Sequence, residues 1–213
     1  MPSFENEQSL LEQGFIRICG VDEAGRGPLA GPLVVASCLF PSSFYECPPD
    51  FISDLNDSKK LSTKTREVLY EKLLNHPEIE SSIQVIEPHQ IDTLNILGAT
   101  LHGMVSASEA LQPDYVLIDG NKLPPTLKIP AKALVKGDQR SYSIAAASIL
   151  AKVYRDELME TLDLDFPGYG FKKHKGYGTK VHLDALATLG PCPHHRMSFK
   201  PVQQAASQAV CIK

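Results

Sequence analysis

Four acidic residues stand out by position. Asp22 and Glu23 follow an apolar, β-branched run, Asp119 follows Tyr115-Val116-Leu117-Ile118, and Asp156 shares helical spacing with Ser148 and Lys152. Strand ends are where sites collect in α/β proteins, and residues four apart share one face of a helix. If the two strands are neighbours and the helix lies against them, the four carboxylates converge, and such a group does not stay ionised without cations. Oxygen-only donors favour Mg²⁺ or Mn²⁺ over zinc. Two such ions would stabilise both the attacking and the leaving oxygen in phosphodiester hydrolysis. The competing account is structural, because any one of these acids taken singly is an ordinary turn residue or a solvated helix position.

The elements that must hold these acids can be read from periodicity and punctuation. The pattern predicts a strand over Phe15–Val21, a Gly-rich turn from Gly25 to Pro32 and a second, adjacent strand over Leu33–Phe40. Ser62-Thr63 followed by an amphipathic run predicts a capped helix ending before Pro77. A short strand over Ser82–Ile86 comes next, then a helix from Pro88 to about Thr93. Asn95 opens a further helix over Ile96–Leu111, which stops before Pro113. Tyr115–Ile118 and Ala133–Val135 read as strands, with Gly137-Asp138 as a break before the long Ala-rich helix Arg140–Leu162. Phe166–Gly178 reads as a functional loop, and His182–Leu189 and Val202–Val210 as helices. Interspersed strands and helices without an internal repeat predict one α/β domain.

The segment Gly20-Val21-Asp22-Glu23-Ala24-Gly25-Arg26-Gly27-Pro28-Leu29-Ala30-Gly31-Pro32 resembles the signature of ribonuclease HII, the prokaryotic type 2 ribonuclease H. The resemblance continues through Asp57-Ser58-Lys59-Lys60-Leu61-Ser62, Ile118-Asp119-Gly120, Ala145 to Asp156, Tyr169-Gly170-Phe171, His174 to Thr179 and His195-Arg196, in family order. It implies a ribonuclease H-like fold, a mixed central β-sheet flanked by α-helices, over residues 15–200. A short N-terminal extension, 1–14, would precede it, and a C-terminal helical segment, 201–213, would pack on it. The resemblance carries the metal-binding catalytic acids onto Asp22, Glu23, Asp119 and Asp156, the set already reached from placement. Tyr154 stands where Thr is more usual, and Gly178 where Pro is also common; neither is a proposed ligand.

Gly25-Arg26-Gly27 suits close approach to a sugar, since glycines let backbone N–H and C=O groups meet a 2′-hydroxyl; a tight turn would favour the same glycines. The resemblance gives these residues the ribose at an RNA–DNA junction, and gives Tyr177 the neighbouring deoxynucleotide. The implied activity is metal-dependent hydrolysis of the RNA strand of RNA–DNA hybrids and cleavage 5′ of single ribonucleotides in duplex DNA. The ends left would be 3′-hydroxyl and 5′-phosphate, the first cut in removing ribonucleotides from DNA. Ribonuclease HIII is the nearer alternative, but it carries an extra N-terminal domain and lacks the Gly-Arg-Gly form. A catalytically inert hybrid-binding module is the more distant one, and retention of all four acids argues against it.

Positive charge is concentrated from Phe166 to Lys200, where Lys172, Lys173, Lys175, Lys180, Arg196 and Lys200 face Asp184 alone. With Lys59 and Lys60 these are candidate phosphate contacts, as are Asn95, Ser148 and Lys152, with His174 and His195 left open between phosphate contact and structure. The formal charge of the whole chain is -4 over 213 residues, so nucleic-acid binding must be local. Hydrophobic residues at 43% and charged residues at 22% exclude disordered and coiled-coil classes. Five cysteines without CxxC spacing point to a reducing compartment, and Cys192 in Cys-Pro-His-His is weak grounds for zinc. No signal peptide or membrane span is expected, and the tail Gln208–Lys213 lacks the aromatic pair of a sliding-clamp peptide. The expectation is a cytoplasmic monomer.

Overall fold

A computed structural model describes residues 1–210. Cys211–Lys213 and the side chains of residues 208–210, on which the clamp-peptide expectation falls, lie outside the described residues. In chain order the elements are helix α1 (Glu5–Glu12), strands β1 (Ile18–Ala24) and β2 (Leu33–Leu39), α2 (Thr63–Asn75), β3 (Glu80–Ile86), α3 (Pro88–Glu109), β4 (Tyr115–Asp119), β5 (Ala131–Leu134) and α4 (Tyr142–Asp165). They are followed by α5 (Phe171–His174), α6 (Lys180–Leu189) and α7 (Lys200–Val210). Two compact units result: Met1–Ala24 with Val34–Gln84 and Leu101–Val153, and Gly25–Leu33 with Val85–Thr100 and the chain from Tyr154 onward.

The first unit is built on a mixed five-stranded sheet of order β3-β2-β1-β4-β5. β1 pairs antiparallel with β2 and parallel with β4, and β4 pairs parallel with β5. Every residue of β2 is buried, which explains its unbroken apolar run. Ala145-Ala146-Ala147, Ile144 and Ile149 of α4 are likewise buried. The close approach of α4 to β1 requires Gly20, since a Cβ there would collide with the Ser143 backbone. Each fully buried Ile or Leu in this core contributes about 1.5–3 kcal/mol.

The sequence expectation for β1 is corrected in one respect: the strand begins at Ile18 and includes Asp22 and Glu23. Residues 16 and 17 fail to extend the ladder because their N–H groups donate to the Asp114 carboxylate, at 2.8 and 3.0 Å. The residues ahead of β1 also carry structure that the polar sequence does not signal. Phe4, which precedes α1, and Glu7 and Leu10 within it are buried, and Glu7 Oε1 accepts from both hydroxyls and one N–H at Ser141 and Ser143. α2 starts where the capping residues predict, with Ser62 Oγ accepting from Thr65 N–H.

The second unit has small apolar clusters. Ala30, Met159, Leu162, Tyr169, Phe171 and Cys192 form one, and Leu29, Leu186 and Val202 form another beneath α7. The expected break at Asn95 is present, at φ 57°, and its side-chain oxygen accepts from Leu97 and Gly98 N–H to restart α3. No described helix is long and apolar enough to cross a membrane.

Candidate active site

In the first unit the acids meet because of strand register. Val21 of β1 lies opposite Ile118 of the parallel β4, so the next residues along, Asp22 and Asp119, stand side by side where that pairing ends. Asp119 is fixed by Gly137 N–H, which donates to its Oδ1 at 2.6 Å. Asp22 is 6% exposed and accepts from Glu23 N–H at 2.7 Å. Burial first, then the neighbouring Glu23 and Asp119 carboxylates, push the Asp22 carboxyl well above its ordinary value, against hydrogen bonds from Glu23 N–H and the Ser148 hydroxyl. Because Ser148 gives its one proton to Asp22, Ser58, 2.9 Å from Ser148 Oγ, must be the donor of that pair.

Carboxylates gathered in a buried, oxygen-only setting suit a hard divalent cation, whose charge would remove the repulsion that raises Asp22. The fit is one of donor chemistry and charge. Among the described residues no three His, Cys, Asp or Glu side chains stand as a closed metal-holding group. Asp156 lies on the part of α4 that belongs to the second unit.

Two acids that sequence reasoning passes over flank the same strand end. Asp138, next to the Asp119 donor Gly137, is raised to about 6 by burial and by Asp57 and Asp119, and it shares a hydrogen bond with Asp57. Their signal is available in part, since Asp57 opens one matching block and Asp138 follows a glycine break.

The second unit contains the Gly25–Pro32 turn, held by two buried arginines. Arg196, 0% exposed, donates to the carbonyls of Gly31, Arg26 and Gly25, the last at 2.6 Å. Arg155, 1% exposed, donates to Pro32, Ala30 and Lys175 carbonyls. Burial pulls the two guanidinium groups down, Arg155 to about 10 and Arg196 to about 9. Gly25 is at φ +99°, and a Cβ there would collide with the Arg155 side chain. Leu29 N–H donates to Gly176 O at 2.8 Å, tying this turn to the Tyr177 loop. A Cβ on Gly27 would lie 3.4 Å from Tyr177 Cε1, so the absent side chain leaves room for the ring. Arg26 and Tyr177 are exposed.

The family model for ribonuclease HII matches residues 19–202. The chain belongs to the ribonuclease HII family. It is a ribonuclease H hydrolase. Its relatives include ribonuclease HII of Chlamydia trachomatis serovar A, 50% identical over 98% of this chain and 92% of the relative. Ribonuclease HII of Desulfitobacterium hafniense is 50% identical over 93% of this chain and 74% of the relative. Among solved structures, the Archaeoglobus fulgidus ribonuclease HII in its PCNA complex superposes with TM-score 0.71 at 27% identity, covering 87% of this chain and 96% of that one. Ribonuclease H2 of Pyrococcus horikoshii gives TM-score 0.69 at 24% identity over 91% and 98% of the two chains. The mixed sheet flanked by helices is thus the ribonuclease H-like fold expected from the motifs.

Within this ribonuclease HII chain the residues expected to contact substrate differ in exposure and in partners. Arg196 is enclosed and donates from Nε and both terminal nitrogens to backbone carbonyls, so it positions the Gly-Arg-Gly turn. His174 and His195 are buried. Lys175 is only 17% exposed in its side chain and donates to Glu160 at 2.9 Å and to the Asp156 carbonyl. Glu160 sits outside the basic segment 166–200, which is why that cluster looks freer in sequence than it is. Asn95 uses its side chain as a helix cap. Lys59, Lys60, Lys172 and Lys173 are exposed, Ser148 is buried against Asp22, and Lys152 is half-buried on α4.

These placements change what a salt titration should show. Lys172 meets Glu160 at 3.6 Å with a side chain 67% exposed, a pair weak enough to exchange for a phosphate. Lys172→Gln with Lys173→Gln should reduce the slope of log affinity against log salt by about 1.8, or about 0.9 per contact. Adding Lys175→Gln should take little more. An unchanged slope in the double variant would return both lysines to a solvated face.

Proposed function

We propose that this chain hydrolyses the RNA strand of RNA–DNA hybrids and cuts 5′ of single ribonucleotides in duplex DNA, leaving 3′-hydroxyl and 5′-phosphate ends. The observation that carries the reading is Tyr177 lying against Gly27 of a turn whose carbonyls are immobilised by Arg155 and Arg196. A rigid, side-chain-free backbone can test for a 2′-hydroxyl, and an adjacent aromatic ring can pack on a sugar that lacks one. Asp22, Glu23 and Asp119, with Asp156 from its motif, would hold Mg²⁺ or Mn²⁺ as a two-ion site. When bound, the ions would stabilise charge on the attacking and leaving oxygens. A ribonuclease HIII with Mn²⁺, 20% identical, has the same fold. Ser148 and Gly137 N–H orient the carboxylates. Lys59, Lys60, Lys172 and Lys173 meet phosphates without reading sequence. The free thiols of Cys19, Cys38, Cys47 and Cys192 suit a reducing, cytoplasmic compartment, and the chain would act there as a monomer.

The direct test incubates a DNA duplex containing one ribonucleotide, beside an all-DNA duplex, with Mg²⁺, Mn²⁺ or chelator. A single metal-dependent cut 5′ of the ribonucleotide is expected; cleavage of the all-DNA duplex, or cleavage in chelator, would defeat the reading. Tyr177→Ala should lower kcat/KM at the lone ribonucleotide by about tenfold, the scale of one stacking contact. Its effect within a continuous hybrid should be small, and Tyr177→Phe should keep most junction activity. Equal losses on both substrates would remove Tyr177 from junction reading.

A further inference from the structure

Below the Tyr177 loop lies a cluster of three buried or nearly buried imidazoles, His174, His182 and His195, that the hydrolysis itself does not use. Their hydrogen bonds fix every ring proton. His182 Nδ1 lies 3.0 Å from the Tyr177 carbonyl, which can only accept, so that nitrogen carries hydrogen. In a neutral ring His182 Nε2 is then an acceptor. It faces His195 Nε2 at 3.1 Å, so His195 donates there. His195 Nδ1 must in turn accept, and the Cys192 N–H is directed at it from 3.0 Å. The bonds thus run in one direction, from Cys192 through two imidazoles to Tyr177.

His174 braces this chain from the side. It stacks on His182 with centroids 4.5 Å apart and planes 13° apart. Its Nε2 donates to Tyr169 O, and its Nδ1 accepts from Gly176 N–H. The backbone on both sides of the Tyr177 nitrogen is therefore held by the stacked pair. Without His182 the Tyr177 carbonyl would keep only a bond from Thr179 N–H, two residues away, a tight local turn that does not tie the loop to the body of the unit.

We propose that His182 is a positioning residue for junction recognition: the hydrogen bond donated by its Nδ1, with the imidazole oriented by the one-way relay from His195, fixes the Tyr177 backbone so that its ring stands against Gly27. This rests on the reading of Tyr177 given above. A second proton on His182 would set two N–H groups against each other across the 3.1 Å contact, and one on His195 would set its Nδ1–H against Cys192 N–H. Burial keeps both rings toward neutrality, holding His182 below its ordinary value and His195 down at about 4.

The test combines ring spectroscopy with substrate preference. Long-range ¹H–¹⁵N spectra of the full chain should show His182 protonated at Nδ1 and His195 at Nε2. Preference is the ratio of kcat/KM at a lone ribonucleotide to that within a continuous hybrid. His182→Leu should lower it by about tenfold, as Tyr177→Ala does. His182→Asn should keep it within about twofold, because the Asn amide nitrogen occupies the place of Nδ1. Adding His182→Leu to Tyr177→Ala should lower the ratio no further, since the relay then holds nothing that reads the junction.

Opposite tautomers would overturn the relay. Loss of activity on both substrates equally in His182→Leu and His182→Asn, with the Tyr177→Ala effect intact, would overturn the positioning role and leave junction reading standing. A Tyr177→Ala variant with unchanged preference would remove the underlying reading and this proposal together. Melting temperatures of each variant separate a general loss of fold from a change in preference.

Discussion

Asp22→Asn should lower kcat by about 10³-fold, on the scale of losing one preorganised electrostatic contact, while making the metal-free protein more heat-stable. Both effects come from one charge. Asp22 is buried, and its carboxyl is raised by burial and then by Glu23 and Asp119. An acid whose native-state affinity for a proton is raised contributes stability that is fully present below its unfolded value, and that stability is lost as pH rises through the raised value. At pH 7.5 in chelator the wild-type chain therefore carries the cost of a buried charge beside other carboxylates, or of the proton taken up to avoid it, that asparagine, of nearly the same volume, lacks. A gain of about 1 kcal/mol would raise the melting temperature by about 2–4 °C in a chain of this size. Added Mg²⁺ should stabilise the wild type and leave the variant nearly unchanged. Near-wild-type cleavage by Asp22→Asn at saturating Mg²⁺, or a lower melting temperature in chelator, would show that the carboxylate does not serve as a metal ligand.

Asp22 and Asp119 are legible in the sequence because two local signals agree: apolar strand-forming runs, each ending on an acid. Pairing of β1 with β4 is not written in either run; it is a long-range choice that brings residue 21 to residue 118. The start of β1 is misplaced by periodicity for a related reason, since Asp114, distant in sequence, takes the N–H groups of residues 16 and 17. α1 gives no clear sequence signal because its buried anchors include a glutamate, and the serines that donate to Glu7 Oε1 lie more than a hundred residues away. The long helices, with strong propensity and caps of their own, are legible to within a few residues.

The basic residues show where sequence reading stops. Lys172, Lys175 and Arg196 carry the same formal charge, and sequence offers no measure of burial that would separate them. The structure does separate them: Lys172 is largely in solvent, Lys175 is bound to Glu160, and Arg196 is enclosed. Arg155 stands in the sequence only as the neighbour of Asp156, yet its three carbonyl contacts make it the partner of Arg196 in holding the turn. A buried arginine with only carbonyl acceptors implies a backbone shape that must be kept, because its desolvation is opposed by hydrogen bonds alone.

Arg196→Met should consequently act on stability and on ribonucleotide recognition together. Three carbonyls, of Gly25, Arg26 and Gly31, lose their donor, and hydrogen bonds from a charged group are worth about 1.5–3 kcal/mol each. Relief from burying a guanidinium offsets part of this, leaving a net loss of about 2–4 kcal/mol and a fall in melting temperature of about 10 °C. Lysine should not rescue, because one ammonium cannot reproduce the planar fork that spans separate carbonyls. Freed from Arg196, the Gly25–Gly27 backbone should sample other conformations, so cleavage at a lone ribonucleotide should fall even well below the melting temperature. Binding to an all-DNA duplex should keep its salt dependence, since no phosphate contact has been removed. The opposite pattern, an unchanged melting temperature with a salt slope reduced by about 0.9, would mean that Arg196 does reach a phosphate, as its place in the basic segment suggests.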